Sequence, residues 1–278
     1  MSFRTIKTVT SGLVLAGLLA TLTGMLVYVT PPIGSGQTLE FASSANGVGD
    51  LAENFVAITA GDLDNNGWVD LVTGFSSGTN EVRVWENDGT PFSGAWSGGS
   101  GNAVGDTSGQ VYSVALGDLD HDGDLDIVSG DNNMDVMIWR NDGTPFNDAW
   151  STSYNIGDGV NSIFGVAVAY LDSDGNLDIV SASISGTGSE LVVWENPYTS
   201  ADTNPFDQTW TAHNVVDTTS LHAVAVADLN RDSKIDLITG DISNQVRVWS
   251  NGGSWSFASQ ATLTGDGDID ALAVTDVN

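Results

Sequence analysis

Five aspartates alternate with other residues in the segment GDLDHDGDLDIVSG, which spans residues 117–130. They are Asp118, Asp120, Asp122, Asp124 and Asp126. Carboxylates crowded this closely repel one another, and the chain already carries a formal net charge of −29. A hard cation offsets such repulsion, and calcium takes about 6–8 oxygen ligands of this kind. We therefore expect this segment to be a metal-binding loop.

The spacing D-x-D-x-[DN]-G-x-x-D describes a loop that surrounds one cation with oxygen atoms. Side-chain oxygens at positions 1, 3, 5 and 9 and the backbone carbonyl at position 7 supply the ligands, and glycine at position 6 allows the sharp turn. The pattern includes no histidine or cysteine ligand, which disfavours zinc and copper. A solvated acidic turn without metal is the alternative interpretation, and repetition of the loop argues against it.

The loop occurs four times, with its first position at residues 62, 118, 170 and 228. The predicted calcium ligands of the first two loops are Asp62, Asp64, Asn66, the Trp68 carbonyl and Asp70, and then Asp118, Asp120, Asp122, the Asp124 carbonyl and Asp126. Those of the last two loops are Asp172, Asp174, the Asn176 carbonyl and Asp178, and then Asp228, Asn230, Asp232, the Lys234 carbonyl and Asp236.

The four loops differ in ways that predict different calcium affinities. The second loop has a carboxylate at every side-chain ligand position together with glycine at position 6, so we expect it to bind tightest. The third loop has Tyr170 at position 1 and lacks a carboxylate there, so we expect it to bind most weakly. In the fourth loop Ser233 replaces the glycine, and Lys234 adds a positive charge.

Each acidic loop lies inside a longer repeat with a constant internal order. An alternating run such as FVAITA or YSVALG precedes the loop, and a short β-rich run such as DIVSG follows it. A VxVW-type segment comes next, and its tryptophans at 85, 139, 194 and 249 are spaced 54 or 55 residues apart. A fourth run begins near a second tryptophan. Four short strands per repeat predict an all-β protein, a β-propeller of four-stranded blades.

The repeat pattern also disfavours two alternative interpretations. A β-sandwich would not require such regular self-similarity. The repeated tryptophans are able to form a platform for carbohydrate, but their place on a repeated strand face favours packing between blades.

The repeats divide the chain into an N-terminal segment and a propeller. Residues 1–30 are predicted to be a signal peptide or membrane anchor, residues 31–38 a linker and residues 39–278 the propeller. The predicted parts of the propeller are a closing outer strand at 39–53, full blades at 54–109, 110–161, 162–219 and 220–269, and a truncated fifth blade at 270–278.

The truncated fifth blade suggests that the propeller is incomplete. Residues 270–278 align with residues 222–230, which places Asp276 and Asn278 at positions 1 and 3 of a fifth loop. We expect the four full blades to form an open arc that belongs to a larger propeller.

The N-terminal segment has the layout of an export signal. Arg4 and Lys7 precede an almost wholly apolar run at 13–29. The run is longer than a usual signal core of about 7–15 residues and approaches the length that spans a bilayer. The segment is interpreted either as a signal peptide that is cleaved or as a membrane anchor that is retained. A buried helix is the third interpretation. In either export case residues from 31 onward lie outside the cell.

Composition excludes one class of partner. The chain has 36 acidic and 7 basic residues, and the bases beyond the N-terminal segment are scattered. A basic stripe is the expected footprint of nucleic-acid binding, so no nucleic-acid partner is predicted. The chain has no cysteine, so an exported form is held together by packing or by metal.

These acidic loops within alternating β runs, as in VALGDLDHDGDLDIVSG, resemble the FG-GAP/VCBS repeat family, which includes the integrin α-subunit propeller. The resemblance covers about residues 39–278. It implies a propeller, often seven-bladed, that holds calcium in its blade loops and acts in adhesion or ligand binding at cell surfaces. The chain is then expected to be a fragment of a seven-bladed propeller. The FG and GAP sequence motifs that name the family are absent, so we do not infer an integrin-type ligand.

The predicted function is that of an exported calcium-binding module, secreted or anchored in the cell membrane, that binds an extracellular protein or glycan. The alternative is the propeller domain of an extracellular polysaccharide-degrading lyase or hydrolase. Repeats that resemble one another favour the binding module, since an enzyme would break the pattern in one blade with a catalytic group. No catalytic residue is assigned.

Replacing Tyr170 with aspartate tests the assignment of position 1. The new carboxylate restores the missing ligand, so the calcium stoichiometry or affinity measured by calorimetry should rise. If neither changes, position 1 does not contribute a ligand in this fold.

Overall fold

Alternation of small and aliphatic residues before each acidic loop produces the innermost strand of a four-stranded sheet, as the period of two predicts. The computed structural model describes residues 21–22, 25–26 and 54–275, except for residues 77–80, 92–95, 97–101, 106, 108, 148–149, 151–152, 159–160, 185–188, 200–203, 217–219 and 266. The first described elements are two short paired strands, β1 (Thr21–Leu22) and β2 (Met25–Leu26).

Sixteen further strands form four antiparallel sheets, called blades 1 to 4. Blade 1 contains β3 (Phe55–Gly61), β4 (Asp70–Phe75), β5 (Val82–Trp85) and β6 (Asn102–Gly105). Blade 2 contains β7 (Val111–Gly117), β8 (Asp126–Asp131), β9 (Asp135–Trp139) and β10 (Ser153–Asp158). Blade 3 contains β11 (Ile163–Ala169), β12 (Asp178–Ser183), β13 (Leu191–Glu195) and β14 (Thr211–Val216). Blade 4 contains β15 (Leu221–Ala227), β16 (Asp236–Asp241), β17 (Gln245–Asn251) and β18 (Phe257–Thr264).

Within each blade the strands pair in sequence order. The innermost strands contact one another in the order β3, β7, β11 and β15, so consecutive blades are neighbours. A 3₁₀ turn, Pro205–Asp207, precedes β14. The predicted fold class is confirmed: the protein is all-β and is built from four-stranded antiparallel blades packed together.

Small residues let the innermost strands approach closely, as their sequence pattern predicts. A Cβ atom on Gly165 of β11 would lie 3.0 Å from the backbone nitrogen of Val224 in β15. Ser113 of β7 accepts a hydrogen bond from the Val166 N–H in β11 at 3.0 Å. Larger side chains at these positions would force neighbouring blades apart.

The VxVW tryptophans are buried and do not form an exposed platform. Trp139, Trp194 and Trp249 pack between blades, whereas Trp85 packs within blade 1. Their exposed fractions lie between 0% for Trp85 and 5% for Trp194 and Trp249. Each indole N–H donates to a hydroxyl on the second strand of its own blade, as in the bond from Trp194 to Ser181 at 2.9 Å. The rings of Trp139 and Trp194 fill the space beside Gly105 and Gly157, which are glycines of the preceding blades.

Several sequence-based predictions lie outside the described residues. These are the linker, the closing strand at 39–53, residues 276–278 of the truncated fifth blade and all of the export segment except β1 and β2. In the described part of the chain, no helix is long and apolar enough to cross a membrane. Residues 270–275 are described and form no strand, although Ile269 packs against Gly240 much as Ile163 packs against Gly130.

Gly157→Ala tests whether the glycine–tryptophan contact holds the blades together. The added Cβ would lie 2.0 Å from the Trp194 ring, and such overpacking lowers the free energy of unfolding by about 1–3 kcal/mol. Urea denaturation measures the change.

Gly267→Ala is the matched control for this substitution. No heavy atom lies within 4 Å of the Cβ that it would add. Its effect should stay below about 1 kcal/mol. Equal effects of the two substitutions would contradict the proposed packing role of Gly157.

Candidate metal centres

Backbone N–H groups hold the side chains of each acidic loop in a repeated arrangement. In the first loop Asp62 accepts from the Gly67 N–H at 2.8 Å, and Asp64 accepts from the Asn66 N–H at 3.2 Å. Asn66 in turn accepts from the Trp68 N–H at 2.7 Å. The second and fourth loops repeat all of these bonds at the equivalent positions. Hydrogen bonds from backbone amides therefore shape part of each loop.

Position 6 adopts a backbone conformation that favours glycine. Its φ angle is 90° at Gly67, 94° at Gly123 and 90° at Gly175. Ser233 takes the same conformation with φ at 69°, at a steric cost of roughly 1–2 kcal/mol. The fourth loop therefore keeps the turn at the expense of backbone strain.

Two sets of three carboxylates converge in the described part of the chain. Oxygen atoms of Asp62, Asp64 and Asp70 lie within 4.8 Å of one another, and so do oxygen atoms of a second set, which comprises Asp118, Asp120 and Asp122. Among the described residues, the third and fourth loops do not bring three carboxylates this close together.

One oxygen in the second set fits a cation and lacks any other partner. The Oδ1 atom of Asp118 is excluded from solvent and has no hydrogen-bond donor within the described residues. A buried carboxylate oxygen without a partner is costly unless a cation or a donor satisfies it. The donor set consists only of oxygen, which suits a hard cation such as calcium.

The position-9 aspartates are buried and are held by two backbone N–H groups each. Asp126 is 0% exposed, and its two oxygens accept from the Leu119 and Asn141 N–H groups, both at 3.0 Å. Asp70, Asp178 and Asp236 have the same arrangement.

Burial shifts the protonation of three position-9 carboxyls, those of Asp70, Asp126 and Asp178. Desolvation raises the pKa of Asp126 to about 8, that of Asp178 to about 7 and that of Asp70 to about 6. Without a cation the buried carboxyl holds its proton more readily than an ordinary aspartate. A metal ion that binds nearby therefore favours the deprotonated form and displaces that proton.

An arginine occupies the second loop. The Arg140 Nε atom lies 2.7 Å from Asp120, and its Nη2 atom lies 3.1 Å from Asp122. The guanidinium thus offsets part of the charge that a calcium ion would neutralise. The ranking of this loop as the tightest calcium site stays a prediction, and Arg140 is an argument against it.

The third loop shows the consequence of Tyr170. Its side chain offers no carboxylate to accept the position-6 N–H, and 54% of the residue is exposed. Burial raises the pKa of Asp172, and Asp174 and Glu195 contribute to that rise. Glu195 therefore brings a further carboxylate towards this loop.

The backbone carbonyls predicted at position 7 stay predictions. They belong to Trp68, Asp124, Asn176 and Lys234. Unlike the repeated tryptophans, Trp68 is 52% exposed, and its ring lies beside Gly89.

Sequence reasoning missed an asparagine that supports every loop. Asn87, Asn141, Asn196 and Asn251 each follow the strand tryptophan by two residues, and their exposed fractions do not exceed 7%. Their backbone N–H groups hold the position-9 aspartates. The W-x-N pattern in all four repeats was the available signal.

Comparison with known proteins agrees with this geometry. The profile of the FG-GAP-like repeat matches residues 62–129, 122–181 and 171–239. The chain belongs to the FG-GAP-like repeat family. This family assignment confirms the resemblance inferred from the loops. No curated protein matches the sequence.

A solved structure also resembles the chain. It is the crystal structure of the computationally designed Ika4 protein, which is 15% identical, with a TM-score of 0.47 and coverage of 75% of this chain and 100% of that chain.

Arg140→Gln tests whether the guanidinium competes with calcium. Removing an ion pair worth about 1 kcal/mol should raise the calcium affinity of the second loop roughly fivefold in calorimetry. Arg83→Gln changes the net charge equally and is the control, since the Arg83 guanidinium lies over the Phe75 ring at 4.8 Å. Unchanged affinity in Arg140→Gln, or an equal rise in both variants, would show that Arg140 does not compete.

Proposed function

We propose that this FG-GAP repeat protein is an exported calcium-binding module that binds an extracellular glycan or protein. The observation that carries the calcium assignment is the unpartnered Asp118 Oδ1 atom, which lies among the converging carboxylates of the second loop. The first loop supports it with a second carboxylate set. Membership of the FG-GAP-like family is consistent with this assignment.

Calcium in these loops would chiefly stabilise the fold. The position-9 aspartates begin the second strand of each blade and are buried, so their charges destabilise the metal-free protein. A cation bound to the folded loop and not to the unfolded chain raises the free energy of unfolding by mass action. The chain has no disulfide to serve this purpose.

Two exposed aromatic residues favour a glycan as the partner. Trp68 and Tyr170 belong to acidic loops and are 52% and 54% exposed. The acidic loops all follow innermost strands, so they lie at the same end of the blades. Exposed rings beside a loop-bound cation offer a sugar both an apolar face and a ligand for its hydroxyl groups.

Location outside the cell is proposed from the sequence of residues 1–30, which is typical of export. A secreted form and a form anchored in the cell membrane both fit. Calcium at millimolar concentration outside the cell suits sites with dissociation constants of about 10⁻⁴–10⁻³ M.

Thermal unfolding with calcium and with chelator tests the stabilising role. At a calcium concentration of 100 times the dissociation constant, each filled site should add about 2.7 kcal/mol and raise the melting temperature. The Asp62→Asn and Asp118→Asn double variant should lose most of this shift. Asp207→Asn, in the exposed 3₁₀ turn, should keep it.

The same proteins, applied to a glycan and extracellular-matrix array, test the binding role. We expect glycan binding in calcium that disappears in chelator and in the double variant. A melting temperature that does not respond to calcium would contradict the metal assignment. Binding that persists in chelator would contradict a role for calcium in recognition.

A further inference from the structure

A chain of hydrogen bonds connects the acidic loops of successive blades. Its first part lies within a blade: the Asp126 carboxylate accepts from the Leu119 N–H of its own loop and from the Asn141 N–H at the end of the third strand. All four blades contain these two bonds. Each acidic loop is therefore tied to the asparagine that follows its blade's tryptophan.

The second part of the chain crosses from blade to blade. The Asn141 side-chain amide donates to the Leu63 carbonyl, at position 2 of the first loop, at 2.9 Å. Asn196 donates to the Leu119 carbonyl of the second loop at 2.9 Å, and Asn251 donates to the Leu171 carbonyl of the third loop at 2.8 Å. The same leucines donate their N–H groups to the position-9 aspartates.

These bonds make one path from Asp70 to Asp236. In order, it passes through Asp70, Leu63, Asn141, Asp126, Leu119, Asn196, Asp178, Leu171, Asn251 and Asp236. The three bridging asparagines are at most 2% exposed, and the aspartates at most 1%. Hydrogen bonds in so dry an environment are strong, and a shift of one partner is costly to the next.

A second set of side-chain contacts connects the same loops. Asn65 at position 4 of the first loop donates to the Asp124 Oδ1 atom at 2.8 Å and to the Gly123 carbonyl at 3.3 Å. His121, at the same position of the second loop, lies with Nε2 3.2 Å from the Asn176 Oδ1 atom. Asn65 and His121 have φ angles of 58° and 59°, so both residues adopt the same left-handed backbone conformation. Each contact reaches position 7 of the next loop.

We infer that Asn141, Asn196 and Asn251 are positioning residues that couple each acidic loop to the loop of the preceding blade, so that calcium in one loop raises the calcium affinity of the next. The inference rests on the calcium function proposed above. An ion that orders the first loop fixes the Leu63 carbonyl, which orients Asn141 and hence the Asp126 carboxylate. The second ion then meets a loop that is already ordered, which is positive cooperativity.

Calcium titration of the isotope-labelled full chain by NMR tests the coupling, because the backbone amides of Gly67 and Gly123 report the two loops separately. Asp64→Asn disables the first loop. In the otherwise unchanged protein this substitution should weaken calcium binding at the second loop about fivefold or more. In the Asn141→Ala background the same substitution should change the affinity of the second loop little.

Asn87→Ala is the matched control. Asn87 donates to the Val69 carbonyl and accepts from the Gly89 N–H, both at 3.0 Å. Asn141 has the equivalent two bonds within its blade, to the Leu125 carbonyl and from the Gly143 N–H. Within the described residues only Asn141 of the two also reaches another loop, so Asn87→Ala should leave the fivefold coupling intact.

Asn65→Gly serves if Asn141→Ala does not fold. Glycine keeps the positive φ angle of this exposed position and removes the surface link, so it should reduce the coupling without unfolding the protein.

If the backbone amides of neither Gly67 nor Gly123 respond to calcium, both the calcium function and the coupling are wrong. If both respond and Asp64→Asn leaves the second loop unchanged, calcium binding stands and the coupling is wrong. Coupling that survives both Asn141→Ala and Asn65→Gly would exclude the path described here.

Discussion

The buried carboxylate at position 9 of each acidic loop is the group around which the rest of a blade is arranged. It begins the second strand, it closes the loop by accepting from position 2, and it holds the asparagine at the end of the third strand. A carboxylate in such a place is stable only when its charge is satisfied. The two N–H groups offset part of that charge, and a cation bound in the loop would offset more.

The same arrangement joins the metal loops to the packing of blades. The asparagine that holds Asp126 is Asn141, two residues beyond the buried Trp139, and it also donates to the loop of the preceding blade. Glycines of the outer strands make room for these tryptophans, as Gly105 does for Trp139. Loops and core are therefore parts of one structure, and a cation bound in a loop would act on contacts between blades as well as within them.

The four loops share one backbone shape but differ in charge. Arg140 brings a guanidinium into the second loop, Tyr170 removes a carboxylate from the third, and Ser233 strains the fourth. In the described structure, only the first loop has glycine at position 6 and three converging carboxylates without an arginine paired to them. A repeat of constant backbone shape thus presents four loops of different charge.

Spacing along the chain was enough to predict the blades, the acidic loops, the glycine turns and the buried tryptophans, because each depends on residues that are close in sequence. Alternation with period two determines which strand face is narrow, and a positive φ angle at position 6 favours glycine regardless of what lies around it.

The asparagine after each tryptophan was visible as a pattern, but its partner was not. Leu63 and Asn141 are 78 residues apart and meet only because consecutive blades stack. Arg140 likewise reaches Asp120 across 20 residues of an intervening hairpin. Which charge enters which loop is therefore decided by the packing of strands, since side chains distant in sequence share a site only after the sheet has formed.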